Sequence, residues 1–161
     1  MEHEHAFLAP ILLSRGGMTP HKLPLPDDIA ETLRASGTRR VLGTMNGEPF
    51  DLALHRSKTD GFVFLGMSKG RMRTLGLSQG DLVEVELSAD PDPDHVEPPT
   101  ELAVALAGDE AAREAWDALR PGLKRNVAWT VASAKREATR VSRAEEAVRK
   151  LREGTVERRM R

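Results

Sequence analysis

The stretch Asp90-Pro91-Asp92-Pro93-Asp94-His95-Val96-Glu97-Pro98-Pro99 divides this chain of 161 residues into two parts. Four prolines and four acids within ten residues exclude both a helix interior and a central strand, because proline lacks the backbone N–H and fixes φ. Residues 91–99 therefore read as a proline-rich acidic linker between a first domain, residues 1–90, and a second, residues 100–161. Charge changes sign on either side: residues 1–99 hold 10 Lys+Arg and 15 Asp+Glu, a net −5, and residues 100–161 hold 14 and 10, a net +4. The formal total of −1 conceals a dipolar chain.

Apolar residues make up 39% and charged residues 30%, the balance of an ordinary globular protein rather than of a collagenous or disordered one. With no cysteine, disulfides, thiolate zinc sites and cysteine nucleophiles are excluded together. The near-zero total leaves no global pull onto nucleic acid or anionic lipid. Met1-Glu2-His3-Glu4-His5 is acidic where a secretory signal needs a basic region, and no run approaches the roughly 18 apolar residues of a membrane span. The expected location is the cytoplasm, with no membrane association.

Ahead of the linker, turns separate short runs of strand character: Phe7 to Leu13, Lys22 to Leu25, Arg40 to Met45, Phe50 to Leu54, Phe62 to Met67, and Leu82 to Leu87. In Val83-Glu84-Val85-Glu86-Leu87 aliphatic and acidic residues alternate, as on a half-buried strand. Asn46-Gly47 is the preferred pair for a two-residue hairpin, whose central positions both need φ > 0. One short helix is expected from Pro26-Asp27-Asp28 to Gly37, and another after Ser68 to Gly76, with Gly80 and Asp81 turning the chain into the last strand. The fold class is α+β: a small closed or partly closed β-barrel of about six strands and two short helices, followed by a three- or four-helix module. In that module Thr100 and Asp109 are candidate caps. Leu123, Val127, Val131 and Ala134 form one apolar stripe, and Val141, Ala144, Val148 and Leu151 another, ending at Gly154. The tail from Thr155 to Arg161 is expected to fray.

The segment Ser68, Lys69, Gly70, Arg71 and Arg73 sits where a strand runs into a helix. Free backbone N–H groups and cations make it the candidate anion site, although it lacks the order of a phosphate-binding glycine loop. His3 and His5 share one side of an extended strand but find no third metal ligand in the sequence, and Asp92, Asp94 and His95 lack the spacing of a calcium loop. No metal or cofactor is expected. Ser14, Ser57, Ser68, Ser133 and Ser142 lack a nucleophile-elbow context, and His21 and His55 have no readable partner, so no catalytic residue is assigned. From Arg120 to Arg161 there are 13 Lys+Arg and 5 Asp+Glu, but the acids are interleaved with the cations as on solvated helices.

Leu23-Pro24-Leu25-Pro26 to Ile29, Gly37 to Val41, Gly43-Thr44-Met45-Asn46-Gly47 with Phe50, Gly61 to Leu65, Lys69, Leu75-Gly76-Leu77 and Gly80 to Val85 resemble a bacterial small-barrel domain of unknown function. Leu119-Arg120-Pro121-Gly122-Leu123-Lys124-Arg125, Trp129, Ala134-Lys135, Thr139-Arg140, Arg143 and Leu151 to Gly154 resemble the helical YdeI/OmpD-associated module, also called the bacteriocin-protection family. That module often has serine after the proline and an aromatic residue ahead of its tryptophan; here Gly122 and Val127 stand there. In its motif Trp129, Lys135, Thr139, Arg140 and Arg143 are read as structural, or as a possible interaction surface. Trp129 is expected to pack at a helix junction, and Arg140 or Arg143 to bond helix-end carbonyls or acids. The resemblance implies a fold more than an activity.

The resulting expectation is a non-catalytic binding or interaction protein, linked to stress or bacteriocin tolerance, with a small anion or a protein as partner and a monomeric or homodimeric state. Two alternatives stand beside it: a nucleic-acid-binding regulator, suggested by the likeness of Gly80-Asp81 to turns of AbrB-like barrels, and an enzyme with an unrecognised pocket.

Overall fold

The computed structural model describes residues 3–14 and 19–156, and the chain forms two compact units, Met1–Pro93 and Asp94–Arg161. The break falls inside the proline stretch. Val96, expected in the linker, packs on the core of the second unit. The tail beyond Val156 lies outside the described residues.

Among the described residues the first unit has eight strands, β1 (His5–Pro10), β2 (Leu12–Leu13), β3 (His21–Pro24), β4 (Arg40–Met45), β5 (Glu48–Ala53), β6 (His55–Arg56), β7 (Val63–Met67) and β8 (Leu82–Ala89). They pair antiparallel as two four-stranded sheets, β1-β8-β4-β5 and β2-β3-β7-β6. A closed or partly closed barrel was expected, and among the described residues no closed barrel is found: six runs become eight strands because the chain bends from one sheet into the other within the first run and at the end of the fourth. The first bends at Ile11, whose N–H donates to Asp81 O at 2.9 Å and whose carbonyl accepts from Gly80 N–H at 2.8 Å. The other bends at Leu54, whose N–H donates to Arg39 O at 2.9 Å.

Alternation explains which faces meet. Val83, Val85 and Leu87 of β8, Val41 and Met45 of β4, and Leu23 and Leu65 of the second sheet are all fully buried, while Glu84 and Glu86 point to solvent. Asn46 and Gly47 take φ of 49° and 84° and close the β4–β5 hairpin with Met45 opposite Glu48. Asn46 also binds β8, its Oδ1 accepting from Glu84 N–H at 2.9 Å. Between the hairpin and β8, Gly43 leaves no room for a side chain, since an added Cβ would collide with the carbonyl of Glu86. Helix α1 (Asp27–Ala35) buries Ala30 and Leu33 and ends where Gly37 adopts φ 73°; α2 (Lys69–Thr74) buries Met72.

The second unit contains α3 (Thr100–Ala107), α4 (Glu110–Ala118), α5 (Pro121–Ala132) and α6 (Glu137–Glu153), around a core that includes Leu102, Leu106, Trp116, Leu123, Val131, Val148 and Leu151. Asp109 caps α4, its Oδ1 accepting from Ala112 N–H at 3.0 Å. Thr100 does not cap α3; Pro99 occupies that position with no side-chain bond. Gly154 ends α6 with φ 68°. Val141, expected on the apolar stripe of α6, is instead exposed.

Because the obstacle at Gly43 is backbone, Gly43→Ala is expected to destabilise the first unit by about 3 kcal/mol. The expected observation is a lower urea midpoint for the sheet transition, with helical ellipticity from the second unit retained at that concentration.

Candidate functional sites

The anticipated anion segment forms as a capped turn. Ser68 Oγ accepts from Arg71 N–H at 3.1 Å, and Lys69, Gly70 and Arg73 are exposed. Arg71 is half-buried, and that burial lowers its guanidinium below its ordinary pKa. The helix spans only six residues and has no acid in its first turn. The residues expected to act together are thus adjacent, but they present an open cationic surface rather than an enclosed site.

In the second unit Arg140 and Arg143 tie down the connection between α5 and α6. Arg140 Nε donates to Glu101 Oε1 at 2.7 Å, and its Nη1 donates to the carbonyls of Ala134 and Lys135 at 3.1 and 2.9 Å. Arg143 Nη1 donates to Thr130 O at 2.9 Å and to Ser133 Oγ at 3.3 Å. These guanidinium groups supply donors to carbonyls that the end of α5 leaves without helical partners. Lys135 and Thr139 are exposed beside them.

Trp129 overturns its expectation. It is 70% exposed rather than packed at a junction, and Trp116 is the tryptophan in the core. The position on α5 decides this: Leu123 and Val131 hold the buried face, and Trp129 falls with Gly122, Asn126 and Ala132 on the outer one. One turn back, Asn126 helps line a groove of about 400 Å³ between α5 and α6. Leu123, Val127, Ala147 and Val156 supply its apolar surface, and Arg143 and Lys150 are cations on its wall. Glu146, also on the groove, is held by Arg149, which keeps its carboxyl below the usual range. From Arg120 to Arg136 the chain has five cations and no acid.

A further cluster, on the outer face of the second sheet, was not anticipated. Lys22 is buried, with Nζ donating to Ser14 Oγ at 3.1 Å and lying 4.6 Å from the centroid of the Phe64 ring. His55 stacks on Phe64 at 5.6 Å. In the sequence Lys22 alternates with Leu23 and so reads as a solvated position; only the pairing of β3 with β7 brings it beside Phe64.

Among the described residues no group of three or more histidines and acids is placed to hold a metal. Asp92 N–H donates to Asp90 Oδ1 at 2.9 Å, and His95 Nε2 lies 3.0 Å from Glu97 Oε2. Ser57 is buried in a turn, with its hydroxyl accepting from Asp60 N–H at 3.2 Å. No helix of the described residues is long and apolar enough to cross a membrane.

Glu101 and Asp109 both have pKa values held below the ordinary carboxylate range, Glu101 through its bond from Arg140 and Asp109 through the Ala112 N–H and then Arg152. A carboxylate held below its unfolded pKa stabilises the fold above that value, and the contribution is lost as pH falls through the folded one. Arg140→Ala is expected to lower Tm by about 5 °C or more at neutral pH. The difference from wild type should shrink below the normal carboxylate range, as thermal melts across pH would report.

Two family models match the chain: the bacteriocin-protection, YdeI or OmpD-associated model over residues 95–154, and the domain of unknown function DUF1905 over residues 7–87. No curated protein matches it. The first match spans the four-helix unit with its Trp129 and Arg140 motif, and the second spans the two sheets. The chain therefore belongs to the DUF1905 family, whose model covers half of it, and its helical unit matches the bacteriocin-protection, YdeI or OmpD-associated model.

Proposed function

We propose that the protein is a binding or interaction protein rather than a catalyst, acting in the cytoplasm in tolerance of bacteriocins or envelope stress. The observation that carries this reading is Trp129, an exposed large aromatic residue beside an apolar groove on an acid-free stretch. An exposed aromatic with neighbouring cations has the chemistry of an interface anchor. The occupant that fits is an acidic amphipathic segment of a partner protein: its apolar side chains meet Leu123, Val127 and Ala147, and its carboxylates meet Arg143 and Lys150, the latter in competition with Glu146 at 3.6 Å. The name of the helical family supports the link to bacteriocin tolerance. In the same reading the first unit, with two bent segments each serving both sheets, is a partly closed barrel that acts as scaffold.

Trp129 fluorescence tests the proposal in a Trp116→Phe background, where it is the remaining tryptophan. Titration with a helical peptide of leucines and glutamates should shift the emission to the blue and saturate. Reversing the charge at Lys150 with glutamate should weaken binding about tenfold. Absence of saturation would reject the groove, and tighter binding of an oligonucleotide with a steep salt dependence would move the assignment to nucleic acid.

A further inference from the structure

Lys22 lies in a different unit from the groove, and its surroundings are those of a charge awaiting its counterpart. The residue is 7% exposed, yet among the described residues no carboxylate pairs with its ammonium group. One of its three donors reaches Ser14 Oγ, and the Phe64 ring lies 4.6 Å from Nζ. A ring face attracts a cation but does not replace an anion, and a buried ammonium without one is costly.

The surrounding strands offer no counter-charge. β2, β3, β7 and β6 contain Lys22, Arg56, His21 and His55 but no aspartate or glutamate, although residues 1–99 carry a net −5. The acids of neighbouring strands, such as Asp51, Glu84 and Glu86, belong to the first sheet. One hydroxyl bonds the ammonium, and a second lies over the residue that faces Lys22 across the strands. Ser14 is in direct contact, and Thr19 Oγ1 lies over Gly66, which is the residue opposite Lys22 in the β3–β7 register. A Cβ at Gly66 would come within 2.9 Å of that oxygen, so the missing side chain is what admits the threonine.

We propose that Lys22, Ser14 and Thr19 form a binding site for a small oxyanion, a carboxylate or phosphate group, on the outer face of the second sheet. The ammonium supplies the charge, the hydroxyls supply oriented donors, and Phe64 closes one side against water. The exposed cations of α2 follow the end of β7 and are not part of this group of residues.

The test measures the thermal stability of the full chain while inorganic phosphate or acetate is titrated at constant ionic strength with chloride. Wild type should gain stability saturably with one of the two, and which one it is identifies the source of the oxyanion group. Lys22→Met should keep or raise the Tm without added anion and weaken the response about tenfold or more, because a charged hydrogen bond is lost. Should Lys22→Met fail to fold, Ser14→Ala serves in its place: it leaves the ammonium and should weaken the anion response severalfold. Lys69→Ala, on the α2 surface, should retain the response. An absent response in wild type overturns the proposal, as does a response unchanged by Lys22→Met and Ser14→Ala or one abolished by Lys69→Ala.

Discussion

The bend at Ile11 is the constraint on which the first unit depends. Two backbone hydrogen bonds, to Asp81 O and from Gly80 N–H, pin the first strand run to the turn that begins β8. A backbone turning between sheets leaves polar groups that must be satisfied, and the Gly80 turn, with φ 89°, satisfies them. Residues before the bend pair with β8, and those after it pair with β3. A single segment thereby belongs to both sheets, and the buried sides of β3, β7, β4 and β8 close on one core. The same bend carries Ser14 to Lys22.

The helical unit relies on a different device. Its α5–α6 connection lacks a capping side chain at the start of α6, where Arg136 makes no such bond. Two arginines substitute from within α6: Arg140 spans to Glu101 and to the connecting carbonyls, and Arg143 reaches back to Thr130 and Ser133. With the turn held by guanidinium groups, Trp129 has no structural task there and remains on the surface. The most recognisable residue of the motif and its neighbouring arginines thus play unlike parts.

Much of the fold was legible because its signals are local. Proline density placed the break, Asn46-Gly47 the hairpin, alternation the buried face of β8, and Asp109 and Gly154 their helix ends. Thr100 and Val141 were misplaced by the same local reasoning, since a proline one residue earlier and the rotation of α6 against its neighbours decided those positions. The candidate sites were less legible. Ser68 to Arg73 are consecutive and could be seen as a group, whereas Lys22, Ser14, Thr19 and Phe64 come together through strand register, which a one-residue shift would reverse.

By itself the sequence determined the two-part division, the α+β class, most element positions and the opposed charge of the two parts, because propensity, periodicity and ionic content act over a few residues. Tertiary structure alone decided that six runs become eight strands in two sheets, that Trp129 faces outward, and that Lys22 is buried with no acid beside it among the described residues. These outcomes rest on bends, helix rotation and pairing between distant segments. Their energies depend on which surfaces meet, and no short stretch of residues contains that information.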